Sequence, residues 1–189
     1  MKILKIILLV SKLKITFYCT ENLIIKEIRE NNKLTITYKY YQKKDSLLFI
    51  DHNNNNIEKF CKLSEVDFNE VKFNVEGLEI LDEFIINNEF KYLNLNSIIV
   101  KRRYSIPYQE NMNSKLVFCE LPNLNKYILD IKYLKALNLT NNSEKYYPYI
   151  ILGELKTTSN YGPENTVYKI VNIEEIEVSE KFFVSLFGL

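Results

Sequence analysis

The sequence predicts an α+β domain, mainly antiparallel β-sheet with two or three short helices. Apolar and polar residues alternate with a period of two over several segments of the first and last thirds. The connections between those segments are too short to carry parallel crossovers. Helical spacing of apolar residues is confined to brief stretches, chiefly 77–90 and 180–187.

The elements follow in order. Ile6 to Val10, behind Lys2 and Lys5, begins like a signal peptide, but the run breaks at Ser11, Lys12 and Lys14 and no small-x-small site follows. The expectation is a chain without an export signal. Leu13, Ile15, Phe17 and Cys19 alternate with polar neighbours, as do Leu34, Ile36, Tyr38 and Tyr40. Glu30-Asn31-Asn32-Lys33 between them reads as a turn. Ser46 to Ile50 is a short strand that ends in the Asx-rich turn Asp51 to Asn56, and Ile57 to Leu63 resumes the meander. Val71, Phe73 and Val75 alternate. Leu78, Leu81 and Ile85 then fall at helical spacing, which predicts a helix over Gly77–Phe90. Ser97 to Ile106 and Lys115 to Leu121 are strands stopped by Pro107 and Pro122. Asn125 to Leu139 fits helix and strand equally. Tyr146 to Thr158, Thr166 to Ile173 and Glu175 to Val178 are strands, and Ser179 caps a helix over Glu180–Phe187. Phe182, Phe183, Leu186 and Phe187 make that helix too apolar for water, so either it docks on the core, which is the expectation, or a partner covers it.

The chain has 189 residues, the size of one domain (1–189), and its hydrophobic and charged fractions of 47% and 26% are those of a globular protein. Twenty-five Lys and Arg against 24 Asp and Glu leave a net charge of +1, which supplies no bulk basic surface and disfavours nucleic acid as a partner. No segment approaches the ~20 apolar residues of a membrane span. Cys19, Cys61 and Cys119 are odd in number, far apart and set in apolar runs, so they read as core residues of a reducing, cytoplasmic compartment. The skew toward Asn, Ile, Lys and Tyr points to an AT-rich genome, of a low-GC bacterium, a phage or a virus. The sequons at Asn138 and Asn141 matter only in a secreted eukaryotic protein.

Catalytic equipment is scarce. His52 is the single histidine and lies in an Asn-rich turn, so neither a multi-histidine metal site nor a seryl or cysteinyl triad is indicated. There is no phosphate-binding glycine motif, and glycine numbers only 4. No metal and no cofactor is expected. One catalytic alternative remains. Gly153-Glu154-Leu155-Lys156 at the end of an apolar strand resembles the core of the PD-(D/E)xK nucleases. That resemblance implies Mg²⁺ held by Glu154 and an upstream carboxylate such as Asp130, with Lys156 activating water. Glu89-Phe90-Lys91 and Asp130-Ile131-Lys132 match the same triplet, and the Pro-Asp of the fuller motif is absent.

Binding residues are more numerous. Lys101-Arg102-Arg103-Tyr104 places three cations beside an aromatic ring, and Tyr146-Tyr147 belongs to a chain with 14 tyrosines, a residue favoured at interfaces. In the last third, Lys126-Tyr127-Ile128-Leu129-Asp130-Ile131, then Leu134 to Leu137 and Ser143, resemble a segment of immunity proteins from bacterial polymorphic toxin systems. Val167 to Ile170 with Val178 to Phe182 resembles their closing strand and helix. The resemblance implies a cytosolic protein that binds and blocks a cognate toxin. The expectation is a non-enzymatic protein-binding protein, an inhibitor or immunity or anti-defence type of a bacterium, phage or virus. A virion or other assembly subunit is the second reading, and the nuclease the third.

Overall fold

The computed structural model describes residues 1–54, 57–62, 79–105, 112–140, 143–159 and 162–187. Eleven strands dominate: β1 (Lys2–Val10), β2 (Leu13–Cys19), β3 (Leu23–Glu30), β4 (Lys33–Tyr41), β5 (Ser46–Asp51), β6 (Ile57–Lys62), β7 (Glu79–Tyr92), β8 (Leu95–Ser105), β9 (Met112–Glu120), β10 (Tyr149–Ser159) and β11 (Asn165–Glu177). Their hydrogen-bonded order is β6-β5-β4-β3-β2-β1-β11-β10-β9-β8-β7. Two α-helices, α1 (Ile131–Ala136) and α2 (Glu180–Phe187), and short 3-10 turns at Gln42–Lys44, Leu124–Lys126 and Ser143–Tyr146 complete the described elements.

The α+β expectation is overturned. Among the described residues 66% are strand and 14% helix, so the fold is mostly antiparallel sheet. The largest single error is the helix read over 77–90, where Glu79–Tyr92 is strand β7 instead. The ladder between β7 and β8 shifts register between Ile80 and Asp82, Ile85 and Asn87, and Asn87 and Phe90. Leu81 and Ile85 are four apart, a spacing that one face of a helix and one face of a strand share. The β-branched, Asn-rich run Ile85-Ile86-Asn87-Asn88 has poor helix propensity, and pairing with β8 decides the outcome. Gly77, Leu78 and the strand read over Val71 to Val75 lie outside the described residues.

The chain falls into two compact units, the first built from residues 1–67, 123–133 and 171–189 and the second from 68–122 and 134–170. In the first, tight two-residue turns join β1 to β2 and β3 to β4. Asn31 and Asn32 both have positive φ, 50° and 65°, as a type I′ turn requires and as asparagine tolerates. The ladders align one apolar stripe across five strands: Ile6 opposite Phe17, Leu4 opposite Cys19, Cys19 opposite Ile24, Ile24 opposite Tyr40, and Tyr40 opposite Leu47. All of these are buried. On the other side, Leu23 and Ile25 form a cluster with Tyr18, Tyr41 and two residues of α2, Phe183 and Leu186. The terminal helix therefore docks as its composition requires, and Ser179 caps it, its Oγ accepting from the Phe182 amide at 3.2 Å.

One carboxamide pins several segments of this unit. Gln42 is buried and donates from Nε2 to the carbonyls of Thr20 and Tyr127, both at 2.7 Å, while its Oε1 accepts from the Leu129 amide at 2.9 Å. Its own amide donates to the Asn22 carbonyl at 2.9 Å, and its carbonyl accepts from the Tyr133 hydroxyl at 2.7 Å. Both ends of the amide are thus satisfied, as a buried amide requires.

In the second unit β8, β9 and β10 carry the core, with Val100 opposite Leu116, Ile98 opposite Phe118, and Leu155 also opposite Leu116. Gly153 has no room for a side chain, because a Cβ there would meet Cys119 Sγ at 2.7 Å and the Tyr92 ring at 3.1 Å. Tyr92 crosses it to donate to the Ile170 carbonyl at 2.8 Å. Cys19 and Cys119 are buried as expected, and Cys61 is half-buried. No helix among the described residues is long and apolar enough to cross a membrane.

Lys26 breaks the apolar stripe of the first unit. It lies between Phe17 and Tyr38 in the ladders, is buried, and holds its Nζ 5.3 Å from the Tyr38 ring centroid and 6.0 Å from that of Phe17. Burial pushes its pKa down from 10.5 to about 8. The ring faces return part of the lost solvation. Between those two values the unfolded chain binds a proton that the folded one does not, so stability rises with pH through that window and sits at its lower level below it. Lys26→Met is expected to raise stability at pH 7 by about 1–2 kcal/mol and to flatten stability between pH 8 and 10.5. Denaturant unfolding across that range checks it. An unchanged slope contradicts it.

Candidate functional site

β7 ends the strand order, and among the described residues its ladder partner is β8 alone. Terminal strands carry unpaired amides and carbonyls, and proteins guard them with charge, bulges or brevity. β6 at the other end of the order is so guarded, being 6 residues long with Glu58, Lys59 and Lys62. The second half of β7 is guarded too, by Glu89, Lys91 and its bulges. The first half has one register shift, between Ile80 and Asp82, yet keeps its large apolar side chains exposed. Ile80, Leu81, Phe84, Ile85 and Ile86 are each between 42% and 51% exposed.

Of the three acidic residues in that half, Glu79, Asp82 and Glu83, the last two are engaged within the unit. Asp82 pairs with Arg103 of β8. Glu83 is buried to 12% exposure and lies directly opposite Arg102, itself 8% exposed, with which it forms an ion pair. Glu83 also accepts from the Tyr146 hydroxyl and from Lys145 Nζ at 3.0 Å. Burial alone would raise the Glu83 pKa, but the three donors, with Arg102 adding its charge, outweigh it and hold the carboxyl below its usual 4.5. Burial, and then the Glu83 charge, drives the Tyr146 hydroxyl the opposite way, well up. Glu83 thereby fastens β7 both to β8 and to the 143–146 turn.

The residues singled out in the sequence divide accordingly. Lys101 is exposed opposite Phe84, and Tyr104 stands half-buried opposite Ile80, so both adjoin the apolar half of β7. Arg103 is exposed but neutralised by Asp82. Arg102 and Tyr146 are brought together, on Glu83, but inside the unit rather than at its surface. Tyr146 also stacks on Phe118 at 5.6 Å, whereas Tyr147 is 80% exposed. Of the catalytic alternative, Lys156 Nζ lies 3.9 Å from Glu154 and 3.4 Å from Glu164. Asp130 belongs to the first unit, where its Oδ1 accepts from the Lys132 amide at the start of α1. Among the described residues no three thiol, imidazole or carboxylate groups gather to hold a metal. His52 places Nε2 2.9 Å from the Thr37 hydroxyl.

Sequence reasoning missed the β7 surface itself. The available signal was an apolar run, Phe84-Ile85-Ile86, too broad for either one helical face or one strand face. Comparisons with family models, curated proteins and solved structures returned no match.

Glu83→Gln removes the charge opposite buried Arg102, and loss of one partner from such a pair costs about 3 kcal/mol or more. Because the carboxyl pKa is depressed, its contribution is full above the unfolded value and is lost as pH falls through the folded one. The wild type should therefore lose stability on acidification below about pH 4.5 more steeply than the variant. Parallel acid titrations of unfolding would refute this if the two curves kept a constant separation.

Proposed function

We propose that the chain is a non-enzymatic, cytoplasmic protein-binding protein, an inhibitor or immunity or anti-defence type, acting by stoichiometric complex formation. The first half of β7 receives a strand of the partner. The observation that supports this reading is a terminal strand in which Asp82 and Glu83 are paired with arginines of β8 while five large apolar side chains stay in water. Such an edge offers main-chain hydrogen bonds for affinity and alternate side chains for specificity, the elements of strand addition. Lys101 and Tyr104 border it with a cation and an aromatic ring, which fits the composition of interfaces. The likeness to immunity proteins in the last third points to the same kind of activity.

A second reading is favoured by the same edge. If the added strand comes from another copy, the protein is an assembly subunit. Light scattering on the purified chain separates the two: a monomer supports a foreign partner, and a concentration-dependent oligomer supports self-assembly. Nothing in the arrangement of Asp130, Glu154 and Lys156 favours nuclease chemistry over salt bridging.

Ile86→Lys and Phe84→Lys alter exposed positions and should change stability by no more than about 0.5 kcal/mol. Affinity capture from the native host should recover a partner in a one-to-one ratio with the wild type, and either substitution should weaken that complex at least about tenfold. Equal recovery with wild type and both variants would remove β7 from the interface.

A further inference from the structure

The first unit contains a cavity of about 730 Å³, the size of small-molecule sites. It is independent of β7. Its apolar lining comes from Leu23, Tyr41, Tyr127 and Phe183. Leu23 and Tyr127 are buried, and Tyr41 is half-buried, so these surfaces belong to the packed structure of the unit rather than to loose side chains. Lys2, Lys43, Lys44 and Lys126 line the same cavity, against a single carboxylate, Glu21.

The charges are incompletely compensated. Glu21 is 2.7 Å from Lys43 and so is engaged. Lys126 reaches Glu175 only at 3.9 Å. Lys2 and Lys44 have no carboxylate partner among the described residues. Four lysines against one carboxylate give the lining an excess of positive charge, which favours an anion in the opening. The chain as a whole is nearly neutral, at +1, so this concentration of positive charge is local.

The walls are also held in place by the protein alone. Gln42 binds the Thr20 and Tyr127 carbonyls and, through its own amide, the Asn22 carbonyl, all of them residues that line the cavity. It stands immediately before Lys43 and Lys44 in the 3-10 turn. One buried side chain thus fixes the spacing between three wall segments, and a ligand need not order them.

We propose that this cavity binds a small organic anion, a phosphate or carboxylate carried on an aromatic or aliphatic body. The anionic group takes the lysines at the opening, and the body packs on Tyr41, Tyr127, Phe183 and Leu23. Lysine ammonium groups act as point charges and accept either kind of anion, whereas the apolar lining rejects inorganic phosphate as a complete ligand.

Titration with anilinonaphthalene sulfonate, an aromatic anion, tests the site. One saturable site per chain is expected. Lys44→Glu and Lys126→Glu should each weaken it by about tenfold or more, with the unfolding midpoint retained because both positions are exposed. Lys44→Ala serves if charge reversal perturbs folding. Adenosine monophosphate and decanoate then separate the two headgroups by competition, and either one displacing the probe assigns the phosphate or the carboxylate. Adenosine and decanol, which lack the charge, should not compete. No saturable binding, binding indifferent to all three lysine variants, or displacement by the neutral analogues as effectively as by the anions would overturn the proposal.

Discussion

The arrangement of the second unit depends on one buried carboxylate. Glu83 faces Arg102 across the ladder and also accepts from Tyr146 and Lys145. A carboxylate with so little solvent is costly unless its charge is matched and its oxygens are filled. Here both conditions are met by groups from β8 and from the turn before β10. β7 lies at the end of the strand order, and its Asp82, next to Glu83, pairs with Arg103. Of these two charges Glu83 is turned inward onto Arg102, while Asp82 stays at the surface in its pair with Arg103.

Scarcity of catalytic parts and abundance of packing surface are two sides of one composition. Histidine occurs once and glycine 4 times, and Cys19 and Cys119 sit where burial raises the thiol pKa, to about 11 at Cys119. Raised thiols are poor nucleophiles at neutral pH. What the chain does supply is strand after strand of β-branched and aromatic residues. Where these meet neighbours they form the core, and where they run out of neighbours, at β7, they form a surface.

Legibility in the sequence followed the regularity of the ladders. β2 pairs in unbroken register with both its neighbours, and β4 does so from Ile36 to Tyr41, so their alternation was readable directly. The asparagine turn between β3 and β4 and the Ser179 cap were readable for the same reason, since each is chosen by backbone geometry a few residues wide. β7 was not readable, because three register shifts break its alternation and the spacing of Leu81 and Ile85 suits a helix as well as a strand. The basic run was half readable: alternation sends Lys101 and Arg103 outward and Arg102 inward, but only the fold reveals that Glu83 waits there. Gln42 gave no local signal at all. Its partners, Thr20, Tyr127 and Leu129, are far from it in sequence, and a polar residue in a lysine-rich turn looks solvated.

Amide hydrogen exchange along β7, in the free protein and in its partner complex, tests the strand-addition account most directly. Amides of Ile80 to Ile86 that are not bonded to β8 should exchange fast in the free chain and gain protection when the partner binds, while those bonded to β8 should be slow in both states. Protection that leaves these outward amides unchanged, and appears instead on other strands, would contradict it.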